Sequence, residues 1–187
     1  MTILCREGDI AIRPMRDASD DYDLMVTWRA RPHVHQWWDP DDPPPTHDEV
    51  AEHYGPRSEG SRTTSCFIEL ERHPIGYIQF YRWATYPDDA ADMQVPYDDL
   101  TFGLDVFIGE PELVGAGLGT RAVSLLCAYL FEELGASSIM LTTELTNDRA
   151  QRAYERAGFR KVGRVLDTDT REGERMPCWL MRRDAVS

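Results

Sequence analysis

Apolar and polar residues follow one another along this chain with two different periods, and the changes of period mark the elements. Residues 9–15 (DIAIRPM) alternate and predict a first strand that ends near Pro14. Ser19 predicts an N-cap for a helix through Arg31, with Tyr22, Met25, Val26 and Ala30 on one face and Pro32 as its stop. Residues 33–45 (HVHQWWDPDDPPP) read as an irregular loop. Thr46 and Glu49 form a capping box for a helix to about Tyr54. Residues 63–70 predict a second strand, Arg72-His73-Pro74 a tight turn, and residues 75–83 a third strand with Ile75, Tyr77, Gln79, Tyr81 and Trp83 on one face. Residues 100–108 (LTFGLDVFI) are the most apolar stretch and predict the central strand. Glu110-Pro111-Glu112 breaks it. The spacing of Leu118, Ala122, Leu125, Leu126, Tyr129, Leu130 and Leu134 then predicts a long helix. Residues 137–143 predict a strand, 147–157 a helix closed by Gly158, and 160–165 and 176–181 the last two strands.

The order is β-α-α-β-β-β-α-β-α-β-β, with a single βαβ crossover. That predicts an α/β protein of the α+β kind: a mixed sheet of about seven strands with helices on both faces. No stretch reads as a linker or repeat, so residues 1–187 are expected to form a single domain.

Composition narrows the function. The net charge is −13, carried against nineteen Arg and one Lys. An acidic chain is a poor partner for nucleic acid or an anionic membrane and a good one for a cationic substrate. No long apolar run suggests a membrane span or signal peptide. The four cysteines, at 5, 66, 127 and 178, are widely spaced and expected to be reduced thiols in a cytoplasmic protein. No cluster has metal-ligand spacing, so no metal is expected, and His33 and His35 read as surface residues.

The chemistry is expected where the central strand meets the long helix. Gly115, Gly117 and Gly119 open that helix. The first N–H groups of a helix lack internal partners and its dipole is positive there, so a glycine turn makes a phosphate site. The Walker ending is absent, because Gly119 is followed by Thr120 and Arg121. The dinucleotide fingerprint is absent too, because its third glycine falls on Thr120. In the central strand Asp105 stands alone among apolar residues. That placement is costly unless it lines a cleft or has a partner, and it marks a candidate base or amine anchor. Three Asp after Trp37-Trp38 (Asp39, Asp41, Asp42) and five more at 88, 89, 92, 98 and 99 offer carboxylates to a polycation, with Trp37, Trp38 and Trp83 as platforms.

The G-x-G-x-G loop after a mid-chain strand resembles the acyl-CoA pyrophosphate loop of the GNAT N-acetyltransferase superfamily. Residues 147–159 (NDRAQRAYERAGF) are similar to its N-x-x-A-x-x-x-Y-x-x-x-G-F signature. Residues 103–110, 113–120, Trp37-Trp38 and 74–79 (PIGYIQ) resemble the aminoglycoside 6′-N-acetyltransferases more closely. The resemblance implies the GNAT fold and acetyl-CoA as co-substrate, held by Gly115, Ala116, Gly117, Leu118, Gly119 and Thr120, with Asn147 and Ala150 at the next helix start. It implies a backbone N–H for the thioester carbonyl from a bulge near Val106, Phe107 and Ile108, and Tyr154 as the acid that protonates the leaving thiolate. It implies direct attack by the 6′-amine of an aminoglycoside, held or deprotonated by Asp105, in a site lined by Trp37, Trp38, Asp98 and Asp99, and so antibiotic resistance. Arg121 and Arg149 are expected to pair with CoA phosphates. Where these enzymes carry a substrate-binding Asp on the fifth strand, this chain has Thr142, and Glu144 is the candidate substitute. A monomer or homodimer fits. Other readings are a GNAT enzyme for another amine (a polyamine, a siderophore hydroxylysine or a protein amine) and a non-catalytic acyl-CoA-binding module.

Overall fold

In the computed structural model, residues 2–38, 43–56, 62–87, 96–167 and 175–185 are described. The elements are β1 (Cys5–Glu7), β2 (Ile10–Pro14), α1 (Ser19–Arg29), α2 (Pro32–His35), α3 (His47–His53), β3 (Thr63–Leu70), β4 (His73–Arg82), β5 (Thr101–Ile108), α4 (Leu118–Glu132), β6 (Ser138–Glu144), α5 (Asp148–Arg156), β7 (Arg160–Asp167) and β8 (Met176–Asp184). Among the described residues the strands pair in the order β1-β2-β3-β4-β5-β6-β8-β7. β5 and β6 run parallel, joined through α4, which is the predicted crossover. The other registers described, β1 with β2, β2 with β3, β6 with β8 and β7 with β8, are antiparallel. The chain divides into two compact units, Met1–Gln79 with Val106–Ala122, and Phe80–Asp105 with Val123–Ser187. The division falls inside β5, between Asp105 and Val106. Among the described residues no helix is long and apolar enough to cross a membrane.

In the first unit Trp28, Phe67, Tyr77, Met25 and Val50 form the buried core. Beneath it lies a charge cluster. Arg13, only 1 % exposed, donates to both oxygens of Asp21 (2.7 and 2.9 Å) and to Glu69 (2.8 Å), and its guanidinium stacks 4.8 Å from the Phe67 ring. In the second unit Trp83, Met140 and Leu180 pack together, and Phe80 meets Phe102 and Tyr129. β6 is buried continuously from Ser138 to Leu141, as suits a strand paired on both sides.

Several expectations change. An eighth strand appears, β1, only three residues long and too short to show a period. Ala18, not Ser19, is the N-cap of α1, and it makes no side-chain cap bond. The helix ends at Arg29, and Pro32 opens α2 instead of a loop, because a first-turn position needs no N–H from it. Trp83 leaves the strand for a short 3-10 turn (Trp83–Thr85) and is 3 % exposed. It is a core residue, not a substrate platform.

The capping box at α3 forms as expected. Thr46 Oγ1 accepts from Glu49 N–H, and Glu49 accepts from Thr46 N–H at 2.8 Å. Thr46→Ala is expected to cost about 1 kcal/mol, read as a shift of the urea midpoint with unchanged slope.

Candidate active site

β5 and β6 pair only from Thr101↔Ser138 to Gly103↔Met140, although β5 runs on to Ile108 and β6 to Glu144. Past Gly103 the backbone of β5 is released from that ladder. Side chains alternate along it. Phe102 and Leu104 are buried on one face, so Gly103 and Asp105 point to the other. Gly103 leaves room for an aromatic neighbour: a Cβ would sit 2.4 Å from the ring of Tyr81, whose far end reaches the strand one pleat before Asp105.

Asp105 is half-buried. It stands near enough to Tyr154, on α5, for its charge to act on the phenol. Tyr154 is 8 % exposed, and burial, with Asp105's charge as a second cause, pushes its pKa well above the ordinary 10.0. The phenol therefore stays protonated at neutral pH and is a hydrogen donor there. Phe159 meets its ring edge-on at 6.0 Å and fixes its orientation. So the second unit brings together the two residues the sequence nominated for acid and base.

The other nominated residues lie in the first unit. Gly115 and Gly117 have φ of +88° and +81°, with open space where a Cβ would be. Glycine is required here by backbone conformation. At Gly119 a Cβ would touch only Ile108, at an ordinary 3.8 Å, so the third glycine of the motif is not sterically demanded. Residues 115–117 are exposed, α4 begins at Leu118, and its first turn closes with Arg121 N–H donating to Gly117 O at 3.1 Å. The earlier N–H groups of the helix start, such as those of Leu118 and Gly119, precede the helical ladder and suit a pyrophosphate. The irregularity expected near Val106, Phe107 and Ile108 sits just beyond them: Gly109 and Glu110 both donate to Ile75 O, at 2.8 and 3.3 Å. Two residues facing one is the pattern of a bulge.

Several nominated residues have other partners. Asn147 accepts from Ala150 N–H at 3.1 Å, so Ala150 gives its N–H to the cap of α5. Arg121 is paired with Asp9, while Arg149 is exposed. Asp98 Oδ1 accepts from Ser137 (2.8 Å), Leu100 N–H (2.9 Å) and Thr101 (3.0 Å), which shapes the entry to β5 and, with Ser137 first, holds its carboxyl below the usual range. Asp99 is exposed, and its backbone carbonyl accepts from Arg82. Trp38 is turned into the aromatic core, edge-on to Phe107 and Tyr77, with Arg29 stacked over it; Trp37 is half-buried. Asp39, Asp41, Asp42, Asp88, Asp89 and Asp92 lie outside the described residues.

Two features were missed. Thr142 donates to Asp167 Oδ2 at 2.6 Å, so a carboxylate from β7 stands at the threonine after all. Burial first, then the charges of Asp167 and Glu144, pushes the Cys178 thiol up to about 12, so both carboxylates lie within reach of that thiol. His33, expected at the surface, is half-buried with Nε2 3.1 Å from Ile108 O. Both are pairings between distant residues that no local spacing reveals. Among the described residues no three His, Cys, Asp or Glu side chains gather as a metal site.

Against known proteins, the acetyltransferase (GNAT) domain family matches residues 17–166. Aminoglycoside N(6′)-acetyltransferase type 1 of Klebsiella pneumoniae is 31% identical over 150 residues, covering 80% of this chain and 74% of that protein. Lysine N-acyltransferase MbtK of Mycolicibacterium paratuberculosis is 27% identical over 152 residues, 81% of this chain and 66% of that protein. The structure of AAC(6′)-Ib in complex with ribostamycin and coenzyme A superimposes with a TM-score of 0.79 at 28% identity, covering 95% of this chain and 94% of that one.

Proposed function

Because the chain belongs to the GNAT acetyltransferase family, we propose that it transfers the acetyl group of acetyl-CoA to the 6′-amine of an aminoglycoside and so confers resistance to it. The observation that carries this reading is the approach of Asp105 to the buried, protonated Tyr154 at the released part of β5. The named relatives supply the substrate class. The family match, over residues 17–166, takes in parts of both compact units, which supports reading residues 1–187 as one domain.

Acetyl-CoA supplies an acyl thioester. The backbone amides of the loop from Gly115 to Thr120 hold its pyrophosphate, and backbone of residues 106–108 faces the thioester carbonyl, where negative charge develops during attack. Asp105 accepts the proton that the attacking ammonium must lose, directly or through a water. Tyr154 donates a proton to the departing thiolate. Its raised pKa keeps the proton available across neutral pH and weakens the driving force for giving it up. Glu144, and Asp167 held by Thr142, are carboxylates for the remaining ammonium groups. The four cysteines are free thiols, in keeping with a cytoplasmic enzyme.

Tyr154→Phe is expected to lower kcat by about 10²-fold with CoA affinity little changed. Single-turnover kinetics and calorimetry separate the two. A kcat within a few-fold of the parent would pass that proton to water.

The second reading is supported by the lysine N-acyltransferase relative: the same machinery acting on a lysine or polyamine amine. Thiol release from acetyl-CoA, measured in parallel with kanamycin, ribostamycin, spermidine and a lysine peptide, decides between them. Turnover with the aminoglycosides supports the first reading. Turnover with spermidine or peptide alone replaces it by the second.

A further inference from the structure

Glu110 is the second residue past the end of β5, and side chains from the α1–α2 corner hold it. Its Oε1 accepts from Trp28 Nε1 at 2.8 Å and its Oε2 from Arg31 Nη1 at 2.6 Å. The same Arg31 nitrogen donates to Gly109 O at 2.7 Å. His33 Nε2, 3.1 Å from Ile108 O, carries the proton in this contact, because a carbonyl only accepts. Three consecutive residues, Ile108, Gly109 and Glu110, are thus held from one corner.

The backbone is confined sterically as well, by Trp28 of that corner and by Gly76 of β4. A Cβ on Gly109 would lie 2.3 Å from the buried Trp28 ring, and a Cβ on Gly76 would lie 2.4 Å from Phe107 O. Beyond Glu110 the chain returns to it. Leu113 N–H donates to Glu110 O, Val114 N–H to Pro111 O and Ala116 N–H to Leu113 O, at 3.1, 3.2 and 3.3 Å. That relay ends at the first loop glycines. Arg31 and Glu110 are each 29 % exposed, and a pair so placed adds little to stability by charge alone. Its geometry, three anchors on three successive residues, is a means of fixing backbone.

We propose that Glu110 is a positioning residue for acetyl transfer: with Arg31, Trp28 and His33 it sets the backbone that joins the thioester-facing strand end to the pyrophosphate loop. This rests on the function proposed above. The corner also runs on through Trp37 and Trp38, whose N–H groups donate to Val34 O and His35 O. The clamp therefore ties the tryptophan segment to the strand that carries acetyl-CoA. Burial alone would raise Glu110's carboxyl, but the Trp28 and Arg31 hydrogen bonds outweigh it and hold the group below 4.5, ionised at neutral pH.

The test measures CoA binding by calorimetry, and kcat and KM for acetyl-CoA by thiol release, in the parent, Glu110→Gln and Glu110→Ala. The glutamine keeps an acceptor for Trp28 and loses the charge facing Arg31; the alanine loses both. The alanine is expected to weaken CoA binding and lower kcat by about tenfold to a hundredfold, the scale of a misplacement of about 1 Å, with the glutamine between. Val50→Ala, in the apolar core of the same unit, serves as a destabilised control that lowers the melting temperature and leaves CoA affinity unchanged. If both Glu110 variants bind CoA and turn over like the parent, or lose no more than Val50→Ala, the positioning role is overturned. If the parent itself fails to bind CoA, it is the function that falls.

Discussion

Asp105→Asn is expected to abolish measurable acetyl transfer while leaving CoA binding intact. The asparagine is nearly the same size and shape, so β5 and its partner Tyr81 at Gly103 keep their packing. What it lacks is a basic oxygen. An ammonium group has no lone pair with which to attack a thioester, and general-base removal of its proton is worth about 10²- to 10⁴-fold. Electrostatic anchoring of the ammonium is lost in the same change. The CoA contacts proposed here begin one residue later and run through the glycine loop, so the dissociation constant for CoA stays near that of the parent. Pre-steady-state thiol release with saturating acceptor reads the first quantity and calorimetry the second. Turnover like the parent's at saturating acceptor would remove Asp105 from the chemistry.

Asp21→Ala is expected to destabilise the protein by about 3–5 kcal/mol, because it strands a buried cation. Arg13 is 1 % exposed and Asp21 fully buried; Arg13, Arg16 and the backbone N–H of Arg16 all donate to that carboxylate. At about 2–4 °C per kcal/mol for a chain of this size, the melting temperature falls by about 10 °C. Replacing the whole buried set by apolar residues (Arg13→Met with Asp21→Leu and Glu69→Leu) is expected to cost far less than the single change. Burial raises Asp21's carboxyl, and the hydrogen bonds from Arg16 and Arg13 overcome this and hold it below 3.8. A depressed acid contributes its full stability above the unfolded value. That contribution fades as pH drops from about 3.8 through the lower folded value, so the parent converges on the variant only in strong acid. Thermal melts of both between pH 7 and pH 3 check the sign. A single variant as stable as the triple one would show that the cluster carries no buried-charge cost.

How much of this was legible in the sequence varies with the range of the interaction. The glycine loop and α4 were readable because a 3.6-residue period and two residues forced to positive φ, Gly115 and Gly117, are local. The caps by Thr46 and Asn147 were readable for the same reason. Asp105 was readable because a carboxylate in an apolar strand contradicts its surroundings. Trp83 misled: a tryptophan in a core and a tryptophan in a sugar site look alike in sequence, and Trp83 packs inside its unit, whereas Trp38 packs against its core and stays half-buried. Pro32 was read as a stop where it is a start, since proline suits either end of a turn. The bond from Thr142 to Asp167 and the ties from Trp28, Arg31 and His33 to residues 108–110 join positions 25 to 82 residues apart. Only the fold brings them together.

The proposed regiochemistry is most directly tested by one pair of substrates. Thiol release from acetyl-CoA is followed with kanamycin and with its 6′-hydroxyl counterpart at equal concentration, and the product is mapped by NMR. Turnover of kanamycin with the acetyl group on the 6′-nitrogen, and none with the counterpart, is the predicted result. Equal turnover of both, or acetylation at another amine, would contradict the assignment of Asp105 to the 6′-amine.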